Sequence, residues 1–264
     1  MSDPSSTSVP EITPLPAEGH RGIDSFSVAR ITGATSFSEL LDAFRRVEAE
    51  HRQRGRCFLT LDFLNQCLYT SGHAIGAHNL DDGVDYPEDD DPAAQAAYET
   101  ALFRAVSAVL HTRDRKWKKV AGKLFTDPSD IEALVRLNRD PGLVLDDVHV
   151  VQCLPTDDDV DLLANIPNGY FVCDWTPFDC YAVVRRISGR HGYALFGIGA
   201  STLGFLSVAD PGERDLSALI TDLRQLYGHS DSSAWADLAA VVESSPVLLL
   251  GYTEGLAETV EPRS

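Results

Sequence analysis

Positive charge is scarce in this chain of 264 residues: 22 Lys and Arg stand against 40 Asp and Glu, for a formal net charge of −18. A surface of that sign repels phosphate backbones and anionic lipids, which argues against general adhesion to nucleic acid or membranes. Lysine is scarcest, with four residues against 18 arginines. Together with the Ala-rich composition, that bias points to a high-GC bacterial source. Cysteine is confined to Cys57, Cys67, Cys153, Cys173 and Cys180. This odd, widely spaced set, in a chain long enough to bury a core without staples, excludes a disulfide miniprotein. It fits a reducing cytoplasm in which most thiols pack as small apolar side chains. Residues 1–20 hold neither Lys nor Arg nor an apolar core, so no secretion signal is expected.

Familiar catalytic patterns are also missing. There is no Ser-His-Asp signature, glycosidase carboxylate pair, Walker loop or metalloprotease helix. Zinc sites place paired ligands two to four residues apart, whereas the closest cysteines here are seven and ten apart. His73 and His78 do not share a helical face, and no calcium-loop spacing accompanies Asp81, Asp82 and Asp85, so no metal site is expected. No motif identifies a cofactor. Gly197, Gly199 and Gly204 fail the dinucleotide pattern because its third glycine would fall at Thr202. The charge-free run 192–209 reaches the nominal length of a membrane span, but its glycines, serines and threonine read better as a strand hairpin.

What is present is ordinary globular usage, 44% hydrophobic and 23% charged. The pattern predicts an α+β fold, with mixed or antiparallel sheets and helices packed on one face. Residues 1–22 read as a disordered Pro/Ser/Thr arm and residues 23–154 as an N-terminal half. Residues 155–252 read as a C-terminal half, and 253–264 as a flexible tail. Strands are expected at 25–31, 57–63, 147–154, 170–173, 193–199, 203–208 and 247–250. A helix follows Ser36, whose spacing to Glu39 is that of a capping box. Residues 71–91 read as an exposed loop with seven carboxylates in 81–91. Asp91 and Pro92 then open a long helix. The C-terminal half reads β-α-β-β-α-α-β, a ferredoxin-like (split β-α-β) plan with an extra helix. Arg45-Arg46 and Arg185-Arg186 align between the two halves, as an internal duplication would leave them.

Two features carry candidate chemistry. Cys180 falls in the first turn of a helix opened by Thr176-Pro177, where free amides favour thiolate, and His191 ends the same helix. The other is a local reversal of charge: Arg113, Arg115, Lys116, Lys118, Lys119 and Lys123 cluster around Trp117. That cluster can grip an acidic partner or a phosphate, with Trp117 as anchor, or pair with the chain's own acidic loop. The leading expectation is a non-catalytic cytoplasmic binding or regulatory protein that engages a protein partner through polarised charged surfaces. The alternative is a small-molecule enzyme with Cys180 as nucleophile. Nucleic-acid contact ranks last because the global charge opposes it, no membrane association is expected, and oligomeric state leaves no trace in the sequence.

Overall fold

The computed structural model describes residues 9–16, 23–88, 91–124, 126–209 and 213–260. The chain is α+β, and its strands join in one mixed sheet of order β1-β2-β4-β3-β5-β6-β7. These are β1 (Glu11–Pro14), β2 (Ser27–Thr32), β3 (Arg56–Thr60), β4 (Val148–Leu154), β5 (Tyr193–Ile198), β6 (Thr202–Ser207) and β7 (Val247–Gly251). Every neighbouring pair is antiparallel except β3 and β5, which run parallel where the two halves of the chain meet. In the N-terminal half β4 lies between β2 and β3, so the helix joining those strands crosses over an inserted strand.

That helix, α1 (Phe37–His51), starts at the expected box. Ser36 Oγ accepts from the Glu39 amide at 3.3 Å, and Glu39 Oε2 accepts from the Ser36 amide at 3.2 Å. Its stripe of Phe37, Leu40, Leu41, Phe44 and Val47 is buried, and Phe44 meets Phe196 of β5. Asp91 caps α3 (Pro92–Thr112), and Asp127 with Asp130 forms a second box at α5 (Pro128–Arg139). Thr176 caps α6 (Pro177–His191). The helices α7 (Leu216–Tyr227) and α8 (Ala234–Ser244) connect β6 to β7. Trp175, Trp235, Phe44, Phe58 and Phe205 are fully buried.

The charge-free run 192–209 is the β5–β6 hairpin, and its glycines admit Leu61 and Asp62 from the end of β3. A Cβ on Gly197 would lie 2.7 Å from Leu61, and one on Gly199 would lie 2.0 Å from Asp62 Oδ1. Asp62 is buried and accepts hydrogen bonds from the Ser201 amide, Ser201 Oγ and Thr202 Oγ1 at 3.2, 2.5 and 3.0 Å. Among the described residues no helix is long and apolar enough to cross a membrane.

Five expectations are corrected. Glu11–Pro14, inside the stretch read as a disordered arm, is edge strand β1 paired with β2. Residues 64–77 form helix α2 (Leu64–Ala77), so the acidic loop is shorter than expected. Gly72 and Gly76 lower helix propensity, but burial of Cys67, Thr70, Ser71 and Ala74 holds the segment. Residues 170–173 are not a strand: Tyr170, Phe171 and Val172 are exposed in succession, without the in–out alternation a sheet face requires. The tail contains a further turn of helix, α9 (Leu256–Thr259), with Leu256 and Val260 buried. Finally, Cys57 and Cys153 do not stand as free thiols, because they occupy directly opposed positions on β3 and β4 and form a disulfide.

Candidate functional site: a cationic face on two helices

The basic segment follows α3. Arg113 caps that helix, and residues 117–120 form the short helix α4 (Trp117–Val120). Its cations do not pair with the acidic loop among the described residues; two of them reach α6 instead. Arg115 Nη1 donates to Asp179 Oδ1 at 3.0 Å, and Lys123 Nζ donates to Asp179 Oδ2. The Asp179 side chain is fully buried and also accepts from the amide and hydroxyl of Thr176 at 3.0 and 2.6 Å. One carboxylate thus caps α6 and ties the basic segment to it. Arg113 donates to the His78 carbonyl at 3.3 Å and lies 5.8 Å from the Phe178 ring centroid. Lys116, Lys118 and Lys119 remain exposed.

Trp117 is half-buried. Its Nε1 donates to Gln225 Oε1 at 3.2 Å, and the Arg186 guanidinium lies 5.3 Å from its ring centroid. Arg186 in turn makes a two-point contact with Asp222 of α7 at 2.7 and 3.0 Å. His191 Nε2 meets the same carboxylate at 2.8 Å, and Arg190 Nε lies 3.7 Å away. Burial opposes ionisation of Asp222, but the hydrogen bonds from Arg186 and His191 outweigh it and hold the carboxyl below its usual range. Burial lowers the His191 pKa against the pull of Asp222. Its Nε2 donates to the Asp222 carboxylate, while its buried Nδ1 has no partner among the described residues.

Between α4 and α6 these side chains line a half-open cavity of about 300 Å³, walled by Arg115, Trp117, Arg185, Arg186, Gly189 and Arg190. Four arginines face it and no carboxylate lines it. Their carboxylate partners, Asp114, Asp179 and Asp222, lie outside the wall. The chain matches no family model, no curated protein and no solved structure. Function must therefore be argued from this geometry and charge.

Sequence reasoning located Arg113, Arg115, Lys116, Trp117, Lys118, Lys119 and Lys123, and the structure brings Arg115 and Trp117 into the cavity wall. It missed Arg185, Arg186 and Arg190. The available signal was their spacing: Arg186 and Arg190 are four apart on α6 and share a helical face.

The thiol candidates are not assembled for catalysis. Cys180 is 2% exposed, and its thiol pKa is pushed well above the ordinary value by burial, then by Asp179 and Asp174. The expected lowering at the helix N-terminus is overturned, since desolvation of a thiolate outweighs partial charges from the first turn. His191 lies at the opposite end of α6, roughly 16 Å along the axis at 1.5 Å per residue. Cys173 is exposed, and a hydrogen bond with Glu254 raises its pKa. Among the described residues no group of three or more His, Cys, Asp or Glu is arranged to hold a metal ion.

A larger cavity of about 690 Å³ opens beside the start of α2, where its wall includes Arg30, Phe63, Asn65, Gln66, Asp146 and Asp147. Its charges are mixed, and Asp146 already accepts from the Leu64 amide at 3.4 Å. The chemistry there is less directed than the single-sign wall between α4 and α6.

Proposed function

We propose that this chain is a non-catalytic binding or regulatory protein that captures an acidic protein partner on the face built by α4 and α6. The observation that carries the reading is the cavity wall of four arginines and no carboxylate, with Lys116, Lys118 and Lys119 exposed on the segment that carries Trp117, in a chain of net charge −18. A cationic patch on an anionic surface steers an acidic partner to one orientation, because the rest of the surface repels it. Trp117, half-buried at the cavity, offers the kind of anchor that concentrates binding energy at interfaces.

The test uses an acidic peptide of seven Glu and Asp residues as probe, titrated calorimetrically at increasing salt. The expected result is binding that weakens steeply with ionic strength and falls at least tenfold in Lys116→Glu/Lys118→Glu/Lys119→Glu. Neutralising Glu88, Asp89, Asp90 and Asp91 should leave that binding within about twofold. Peptide affinity unchanged by the lysine reversal would remove the reading.

A further inference from the structure

The cavity holds more positive charge than an acidic side chain needs. A carboxylate carries one negative charge and two oxygens, and a single guanidinium satisfies it with two parallel hydrogen bonds. Four guanidiniums line this one chamber of about 300 Å³. Each has five N–H donors. Arg186 commits two to Asp222 and Arg115 one to Asp179, while Arg185 and Arg190 each face one carboxylate oxygen at 2.7 and 3.7 Å. The carboxylates behind the wall thus position the guanidiniums and leave most of their donors uncommitted among the described residues. A phosphate monoester matches this set better than a carboxylate, with close to two negative charges and three terminal oxygens.

Gly189 supplies a second, independent observation. Glycine is unfavourable inside a helix, and at this position nothing lies within 4 Å of where a Cβ would sit. Packing therefore does not require the glycine, whereas a side chain there would add bulk at the cavity wall.

We infer that the Arg115–Arg185–Arg186–Arg190 cavity is a receptor for a phosphate monoester dianion, carried on a phosphorylated side chain of the acidic partner. The inference rests on the reading that an acidic partner docks here and names the group that seats in the cavity. Extended nucleic acid is the poorer source, because its flanking phosphates would meet the acidic remainder of the surface.

Three probes separate the cases: a Glu-rich heptapeptide with a central Ser, the same peptide phosphorylated on that Ser, and inorganic phosphate. Tryptophan emission is the readout, because Trp175 and Trp235 are fully buried and Trp117 faces the cavity. Phosphorylation is expected to tighten binding at least tenfold and to shift the emission, with the shift lost in Trp117→Phe. Arg185→Ala/Arg190→Ala should abolish the phosphorylation increment, so that the phosphorylated and unmodified peptides bind alike. Gly189→Leu keeps every charge, raises helix propensity and adds bulk at the cavity wall, so it should abolish the increment in a chain that still folds. Reversal of Lys116, Lys118 and Lys119 should weaken both peptides alike.

Equal affinity for the two peptides, or an increment that survives Gly189→Leu, would overturn the phosphate receptor and leave the acidic-partner reading standing. Failure of either peptide to bind would overturn both. Inorganic phosphate binding as tightly as the phosphopeptide would overturn the partner-borne source and assign the cavity to a free anion.

Discussion

Cys173 and Cys180 show how far local position and burial can diverge at single residues. Cys180 has the better address, in the first turn of α6, yet it is enclosed at 2% exposure beside Asp179 and Asp174. Cys173 has no helix to activate it and Glu254 raises its pKa, but of the three free thiols it alone faces solvent, which leaves it the most reactive of them. Reactivity requires both a thiolate and access, and Cys180 lacks both. Iodoacetamide applied to the folded chain near neutral pH should therefore give one principal adduct, at Cys173 by peptide mapping. Cys180 and Cys67 should react only on unfolding, since burial also pushes the Cys67 thiol up. Modification of Cys180 in the folded chain as fast as a free peptide thiol would revive the nucleophile reading. The capping residues Thr176, Pro177 and Asp179 were legible from their order in the chain. The depth of the turn was not, because it involves Trp175 and Tyr252, which are buried and joined by a backbone hydrogen bond although far apart in the chain.

Helix α6 joins the binding face to the core. Its start is held by Asp179, its exposed flank carries Arg185, Arg186 and Arg190, and its last residue reaches Asp222 on α7. Asp179 serves as cap and as tether for a segment 56 to 64 residues earlier in the chain. Asp179→Ala should cost about 2 kcal/mol in urea unfolding, from the lost cap and the hydrogen bonds to a charged acceptor. The cost stays moderate because Arg115 and Lys123 are 37% and 32% exposed and can be hydrated once the carboxylate is gone. Lys118→Ala should change stability by less than about 0.5 kcal/mol, as expected of an exposed cation with no partner among the described residues. An Asp179→Ala chain as stable as the parent would mean that the tether contributes nothing. The sequence announced both the basic cluster and the helix; their meeting through one buried carboxylate was invisible, because it spans two elements distant in the chain. Helix α2 was missed for a different reason, since its glycines suppress the local signal and its support is tertiary.

At the scale of the whole molecule, six of the strands were legible from alternation and apolar runs, but their order in the sheet was not. That order decides which cysteines meet. Nothing in the spacing pairs Cys57 with Cys153, which are 96 residues apart; only the antiparallel register of β3 against β4 sets them opposite each other. The link closes a long loop near the middle of the sheet, so its loss should cost roughly 2–5 kcal/mol, mainly by freeing the unfolded chain. Cys57→Ala/Cys153→Ala should lower the urea midpoint accordingly, and reductant should destabilise the parent chain but not the double variant. An alkylation count after denaturation without reductant addresses the bond directly. Three adducts, at Cys67, Cys173 and Cys180, are expected, rising to five once the chain is reduced. Five adducts from the start would mean that the two thiols stand free, the state a reducing cytoplasm favours. Three would show that the bond survives in the isolated protein, and repeating the count on protein trapped with acid inside cells would place the chain in a reducing or an oxidising compartment.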